Sequence, residues 1–181
     1  MNGKVRSFAG VSMLLAVALV AAACSNKSST SSGAASGSVT VPAIDAGAFT
    51  ADFAVMSQLK DVAAAGHGLI GVLLPDTTTS TRYVQYDAPL LKKAFETAGL
   101  TDADFKIDNA QGSTTTMQSQ AEADINAGAT VLLIDPIDPA SGAAIEQNAE
   151  SKGVKVIDYD RLVLGGPADR YYVSFNNVQV G

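Results

Sequence analysis

Two stretches of the chain are apolar without interruption, Leu69-Ile70-Gly71-Val72-Leu73-Leu74 and Val131-Leu132-Leu133-Ile134, and each ends abruptly, at Pro75 and at Asp135-Pro136. Runs of this length with no polar alternation predict strands buried on both faces, the pattern of a parallel sheet. Between and around them the period changes. From 49 to 65, Phe53, Met56, Leu59 and Val62 recur at three-residue steps and the Gly66-His67-Gly68 break follows, which predicts a leading helix. Leu90, Leu91, Ala94, Phe95 and Ala98 mark a second helix stopped by Gly99; a third is predicted over 115–127, before Gly128, and a fourth over 141–151, before Gly153. Shorter strands are predicted at 105–108, 154–157 and 171–175. Strands alternating with helices of this size indicate βαβ units joined by right-handed crossovers, so the predicted class is α/β, a doubly wound parallel sheet.

The first forty residues follow a different rule. Lys4 and Arg6 precede a nearly unbroken apolar stretch from Val11 to Ala23 that is too short to span a bilayer comfortably, and Ala21-Ala22-Ala23-Cys24 supplies small residues for cleavage. This predicts a signal peptide over 1–23. The small residues before Cys24 resemble a bacterial lipobox, in which the cysteine becomes the first mature residue and carries lipid, although Ala21 stands where such boxes usually have Leu. Ordinary signal cleavage beside an unrelated cysteine is the alternative. Residues 24–38, rich in Ser, Gly and Ala, cannot bury enough apolar surface to fold and read as a flexible tether, so the globular domain is expected over 39–181.

Composition narrows the partners. The 181 residues carry a formal charge of -6 with no basic stripe, which argues against nucleic acid held through phosphate contacts. One cysteine leaves no internal disulfide and no cysteine-rich zinc site. No G-x-G-x-x-G turn or P-loop follows the first strand, which continues as Pro-Asp-Thr-Thr-Thr, so a nucleotide lacks its phosphate cradle and no cofactor is predicted.

In an open α/β sheet, ligands bind outside the carboxyl ends of the strands. The residues expected on that rim are Asp76, Thr77 to Thr81, Arg82 and Tyr83, then Asn109 and Gln111, Asp135 and Asp138, and finally Asp158, Asp160 and Arg161. Carboxylates, amides, a guanidinium fork and an aromatic face together suit a sugar, whose hydroxyls both donate and accept and whose apolar face packs on a ring. Arg161 can make two parallel charge-assisted hydrogen bonds while Asp160 accepts from neighbouring hydroxyls. A second reading of the same residues stands beside this one: Asp160 and Arg161 as a surface ion pair, with Tyr83 covering the sheet edge. The spacing of the rim aspartates matches no calcium loop, so no metal is predicted. His67, between two glycines, reads as a loop residue, and Asp135 with Asp160 is the one carboxylate couple that a glycosidase could use.

Several motifs in order carry a resemblance: IGVLLPDTTTSTRY from Ile70, NAQG from Asn109, NAGATVLLIDP from Asn126, GVKVIDYDR from Gly153 and YYVSFNNVQVG from Tyr171. Over this span the chain resembles the periplasmic sugar-binding proteins of bacterial ABC importers, of the type I fold, and among them the xylose-binding group. The resemblance implies that Asp160 and Arg161 bind sugar hydroxyls and that Arg82 is a further contact. Tyr83 stands where that group usually has Trp, and Asn176 where Asp is common near the hinge crossing. It also implies a second α/β lobe that closes over the ligand, with Gly181 at the crossing to it. The expected protein is thus a monomeric, non-enzymatic, extracytoplasmic lipoprotein, anchored through Cys24, whose ligand site comprises Arg82, Tyr83, Gln111, Asp160, Arg161 and Asn176. It would deliver a monosaccharide, xylose first, to an ABC permease. A sugar-sensing lipoprotein feeding a receptor kinase and a secreted carbohydrate hydrolase are the alternatives. The chain stops where the next helix is expected, with the last strand uncovered, which predicts the N-terminal part of a longer protein; a naturally short five-stranded domain is the other possibility.

Overall fold

The structure, a computed structural model, describes residues 39–168 and 170–180. The predicted signal segment 1–23, Cys24 and the tether 24–38 lie outside the described residues.

The strands are β1 (Leu69–Leu74), β2 (Phe105–Asn109), β3 (Ala129–Ile134), β4 (Lys155–Tyr159) and β5 (Tyr171–Val173). They form one sheet in the order β2-β1-β3-β4-β5, every pair parallel. The helices are α1 (Lys60–Ala65), α2 (Ala88–Thr97), α3 (Thr114–Asn126), α4 (Pro139–Ser151) and α5 (Asn177–Val180). The alternation of side chains along β1 divides the core in two. Leu73 points to one face, where Met117 and Ala121 of α3 and Ile145 and Ala149 of α4 pack with Leu132 and Ile134. Val72 and Leu74 point to the other, against Tyr83, Leu91 and Phe95 on the α2 side. Both faces of the central strands are therefore covered, as their unbroken apolar runs require.

The local sequence explains the helix ends. Ser113 accepts a hydrogen bond from the Thr116 amide at 3.2 Å, and Asp138 accepts from the Ala140 and Ser141 amides at 2.9 Å each, so α3 and α4 start on capping side chains, α4 with Pro139 in its first turn. Gly128, at φ 96°, takes the left-handed turn that ends α3 and starts β3.

Three predicted elements differ. The leading helix does not begin at 49: Asp52 accepts from the Thr50 hydroxyl and the Ala54 amide, Phe53 adopts φ 63°, and a 3-10 segment at Ala54–Leu59 leads into α1. The Asp52 turn competes with helical pairing and wins. The chain before α2 is already helical, as a π-type turn at Tyr83–Asp87, in place of the expected loop. The last strand ends at Val173, short of 175, and α5 starts at the Asn-Asn pair, with the Asn176 side-chain oxygen accepting from the Gln179 amide at 3.2 Å.

Strand register brings the polar ends of β3 and β4 together. Leu73 lies opposite Ile134, and Ile134 opposite Asp158, so Asp135 and the Tyr159-Asp160 pair emerge side by side from the two strands.

Within β1 the packing is tight at Gly71. A Cβ there would fall 2.5 Å from Asp124 Oδ2 and 2.7 Å from Leu132 Cδ2. Gly71→Ala is therefore expected to destabilise the protein by about 1–3 kcal/mol in urea denaturation, the usual range for overpacking. Gly47→Ala, where a Cβ would meet nothing within 4 Å, should shift it by less than about 0.5 kcal/mol. Equal shifts for the two would contradict this packing.

Candidate functional site

Beyond β1 the chain turns back on itself through Asp76, a buried carboxylate that accepts from the Thr78 and Thr79 amides at 2.9 and 2.8 Å and from the Thr79 hydroxyl. That hydroxyl and those amides hold the Asp76 carboxyl below its ordinary range. The turn delivers Arg82 to the start of the π-type segment. There Arg82 Nε donates to Asp87 Oδ2 at 2.9 Å, a five-residue spacing that the wider π turn brings onto one side. Arg82 Nη2 meets Asp160 Oδ2 at 3.0 Å and lies 3.9 Å from Asp135 Oδ2.

From β4 come Tyr159, Asp160 and Arg161. The Tyr159 hydroxyl donates to Asp87 Oδ1 at 3.2 Å, so Asp87 is held from two elements at once. Asp160 adopts φ 66°, a left-handed conformation unfavourable for a residue with a Cβ, and three contacts hold it there. Its amide donates to the Val173 carbonyl at 2.9 Å, and its own carbonyl accepts from the Tyr172 and Ser174 hydroxyls at 3.2 and 2.9 Å. This kink aims Arg161 back over the end of the sheet, where Nη1 donates to the Pro136 carbonyl at 3.0 Å, Nη2 donates to the Tyr83 hydroxyl at 2.8 Å, and Nε lies 3.5 Å from Asp135 Oδ1.

Four predicted site residues thus converge: Arg82, Tyr83, Asp160 and Arg161. Their pairing differs from the expected one. Asp160 pairs with Arg82, while Arg161 is directed to Pro136, Tyr83 and Asp135. Tyr83 is only 3% exposed and its ring lies under both guanidinium groups, with Arg82 Cζ 5.1 Å and Arg161 Cζ 5.9 Å from the ring centroid. It is a cation-π support for the arginines and not an open face for a ligand. Gln111 and Asn176 stand apart. Gln111, exposed and at φ 56°, accepts from the Thr77 hydroxyl at 2.9 Å beyond β2, and Asn176 caps α5. Of the other rim candidates, Asn109 donates to the Asp76 carbonyl at 2.7 Å, Asp138 caps α4, and Asp158 turns into the core.

Asp135 is 0% exposed and, among the described residues, neither of its oxygens has a hydrogen-bond partner. Burial pushes its carboxyl up to about 7, with Arg161 and Arg82 opposing and Asp160 reinforcing. Being closed off from ligand and water, it cannot form with Asp160 the couple that would flank a glycosidic bond. Burial works against the charged form of Arg82, but the hydrogen bonds with Asp87 and Asp160 outweigh it and raise its pKa. Burial, with Asp87 alongside, pushes Tyr159 up to about 12, so it stays a neutral donor. Among the described residues, no three His, Cys, Asp or Glu side chains are grouped to hold a metal ion.

Arg82, Tyr159 and Asp160 open onto a groove of about 230 Å³ completed by Val173, Ser174 and Phe175. Asp87 and the Pro136 carbonyl, which orient the two arginines, were missed from the sequence. The one signal for them was the five-residue spacing of Arg82 and Asp87, and it has meaning only once the segment is known to be helical.

Known proteins share this sheet and its motifs. Residues 70–181 match the family model for the periplasmic binding protein domain. The multiple sugar-binding periplasmic receptor ChvE of Rhizobium radiobacter is 34% identical over 119 residues, which are 65% of this chain and 32% of that protein. The D-xylose-binding periplasmic protein of Escherichia coli (strain K12) is 34% identical over 97 residues, 54% of this chain and 28% of that one. Among solved structures, an ABC transporter solute binding protein from Clostridium phytofermentans with bound β-D-glucose superposes with a TM-score of 0.56 at 32% identity, over 62% of this chain and 33% of that one. A carbohydrate transporter solute binding protein from Chloroflexus aurantiacus in complex with D-glucose gives 0.56 at 35% identity, over 64% and 33%. The chain therefore spans about a third of the length of these relatives. Its doubly wound sheet is a periplasmic-binding-protein lobe, and the chain belongs to the periplasmic binding protein domain family.

Proposed function

We propose that this chain is the sugar-binding lobe of an extracytoplasmic solute-binding lipoprotein, anchored through Cys24, that captures an aldose and delivers it to an ABC permease. The observation that carries the reading is the Arg82–Asp160 pair at the groove, with Arg161 held over the same end of the sheet by Pro136 and Tyr83. The pair offers a charged donor and a charged acceptor 3.0 Å apart, a spacing that suits a hydroxyl, which gives one hydrogen bond and takes another. Both members are fixed before any ligand arrives, Arg82 by Asp87 and Asp160 by its backbone contacts, so little side-chain entropy is lost on binding.

The relatives' ligands support the chemical class and leave its member open. Two of the solved structures hold glucose, and a myo-inositol binding protein from Caulobacter, 25% identical with a TM-score of 0.54, holds the cyclitol. Within this class xylose is our choice, on the motif resemblance around Arg82 and Asp160-Arg161. No bond is broken: the groove holds a ligand, and a second lobe, as the length of the relatives implies, closes over it by a hinge motion that the ligand's contacts with both lobes favour. Delivery to the permease and the lipid anchor belong to the same proposal.

The experiment that tests the reading is a thermal-shift panel of xylose, glucose and myo-inositol on the complete mature protein. At a hundred times its Kd a ligand adds about 2.7 kcal/mol to stability, which moves the melting temperature by several degrees. A flat panel from folded protein would overturn the sugar assignment. With the responding sugar, calorimetry of Arg161→Ala is expected to show affinity reduced on the order of a hundredfold or more, from the loss of charge-assisted hydrogen bonds of about 1.5–3 kcal/mol each, with cooperative melting retained. Unchanged affinity removes Arg161 from the site. Asp87→Asn, which keeps the shape but discharges the group holding Arg82, should weaken binding about tenfold, equivalent to about 1.4 kcal/mol. Wild-type affinity in that variant would show that Arg82 is oriented without it.

A further inference from the structure

A second cluster of buried charge lies on the other side of β4 from the groove. Glu146 reaches in from α4 and Asp158 from β4, and both are 0% exposed. Both carboxyl groups approach the same guanidinium, which sets them beside each other. Yet among the described residues Glu146 Oε1 and Oε2 and Asp158 Oδ1 have no donor. Among the described residues one guanidinium serves both groups: Arg170 Nε lies 3.1 Å from Asp158 Oδ2 and 3.8 Å from Glu146 Oε2. The other charged groups lining this small space among the described residues are Glu150, one turn along α4, and Lys155 on β4.

The same three residues hold the backbone that follows Arg161. Asp158 Oδ2 accepts from the Val163 amide at 2.9 Å, and Arg170 donates to the Val163 and Pro167 carbonyls. Gly166 rests directly on Glu146, where a Cβ would fall 1.5 Å from Oε2. Arg161 is thus pinned on both sides: its amide donates to the Tyr159 carbonyl at 2.8 Å, and Val163, two residues on, is fixed at both its N–H and its C=O.

Two carboxylates that are 0% exposed and share one guanidinium would carry an excess negative charge away from solvent, which is strongly unfavourable. One proton removes the charge and gives the facing acceptors their donor. We infer that Glu146 carries this proton and donates it to Asp158, so that Glu146, Asp158 and Arg170 form a neutral latch on residues 161–167, and that release of the proton to solvent loosens the latch and the setting of Arg161 with it. The link to Arg161 rests on the proposed sugar site; the latch does not. Burial, with Asp158 adding to it and Arg170 opposing, pushes the Glu146 carboxyl up to about 8. Folded Glu146 therefore binds its proton more tightly than the unfolded chain does. The stability it contributes is complete below its ordinary value of 4.5 and is lost as pH rises through about 8.

Glu146→Gln tests this in the complete protein, because the amide supplies a donor to Asp158 at every pH. Wild-type melting temperature is expected to fall between pH 6 and pH 9, and the variant is expected to lack that part of the fall. Asp135 titrates in both proteins and cancels in the difference. Hydrogen exchange at the Val163 amide, corrected for the intrinsic rate, should accelerate in the wild type above pH 8 and not in the variant. One unit above the midpoint the protonated fraction is down to about a tenth. Identical pH profiles for the two proteins would overturn the latch. Should the variant fail to fold, carbon-13 titration of the Glu146 carboxyl in the wild type decides the matter: a midpoint near 8 supports the shared proton, and one near 4.5 overturns it. Affinity for the responding sugar should fall more steeply from pH 7 to pH 9 in the wild type than in the variant, since Asp135 titrates in both. If the exchange and melting differences appear without it, the link to Arg161 fails and the latch stands. If no sugar binds at any pH, the functional reading fails while the carboxyl titration still judges the latch.

Discussion

Two carboxylates buried at the carboxyl ends of adjacent strands set the terms for this end of the molecule. Asp135 closes β3 and Asp158 lies near the end of β4, both 0% exposed, and neither can be left without a cation nearby. The cations come from outside the sheet. Arg161 and Arg82 approach Asp135, and Arg170 serves Asp158, each carried by a connection that would otherwise have little reason to fold back over the strand ends. The loops are ordered by what lies beneath them, and the groove is the surface left by that ordering. A buried charge used in this way is a weak source of net stability, because desolvation offsets most of the attraction. It is a strong source of position, since any other loop path would leave a carboxylate alone.

Arg82 shows how one side chain serves both tasks. Its Nε is committed to Asp87 and its Nη2 to Asp160, while Tyr83 lies beneath it and beneath Arg161. Replacing such an arginine with lysine would keep the charge and lose the fork, and with it the simultaneous hold on two carboxylates. The ring of Tyr83 exchanges an open face for support of the arginines. That exchange is why an aromatic residue beside Arg82 cannot be read from the sequence as a stacking surface.

The layered fold was legible because it rests on short-range signals. Unbroken apolar runs at 69–74 and 131–134 and glycines after each helix mark where the chain must be buried and where it must turn. The π-type turn at Tyr83–Asp87 was not legible, because its defining contact, Arg82 to Asp87 at five residues, fits neither helical nor strand periodicity. The site was half legible for the same reason. Asp160 and Arg161 announce themselves as charges at a strand end, but which carboxylate meets which guanidinium depends on the left-handed turn at Asp160, and that turn depends on Val173, Tyr172 and Ser174 from a neighbouring strand. Gln111, beyond β2, is engaged by Thr77 apart from the four residues that converge, a placement that spacing alone cannot reveal.

The two sides of the groove differ in support. Arg82 and Asp160 are tied to β1 and β4, whose neighbours are paired and covered. Val173, Ser174 and Phe175 lie on or just after β5, a three-residue edge strand with every residue exposed. Segments with few buried contacts open at lower free energy than the core does. A ligand bridging the Arg82–Asp160 pair and the Val173–Phe175 segment would therefore gain most of its affinity from the first and spend part of it ordering the second. Asp160 couples them: its amide and carbonyl hold Val173, Tyr172 and Ser174 while its carboxylate holds Arg82, so whatever steadies the pair also steadies the edge. For the proposed sugar site, binding and local folding of the β5 margin would then be a single equilibrium, with the strained turn at Asp160 as the point through which they act on each other.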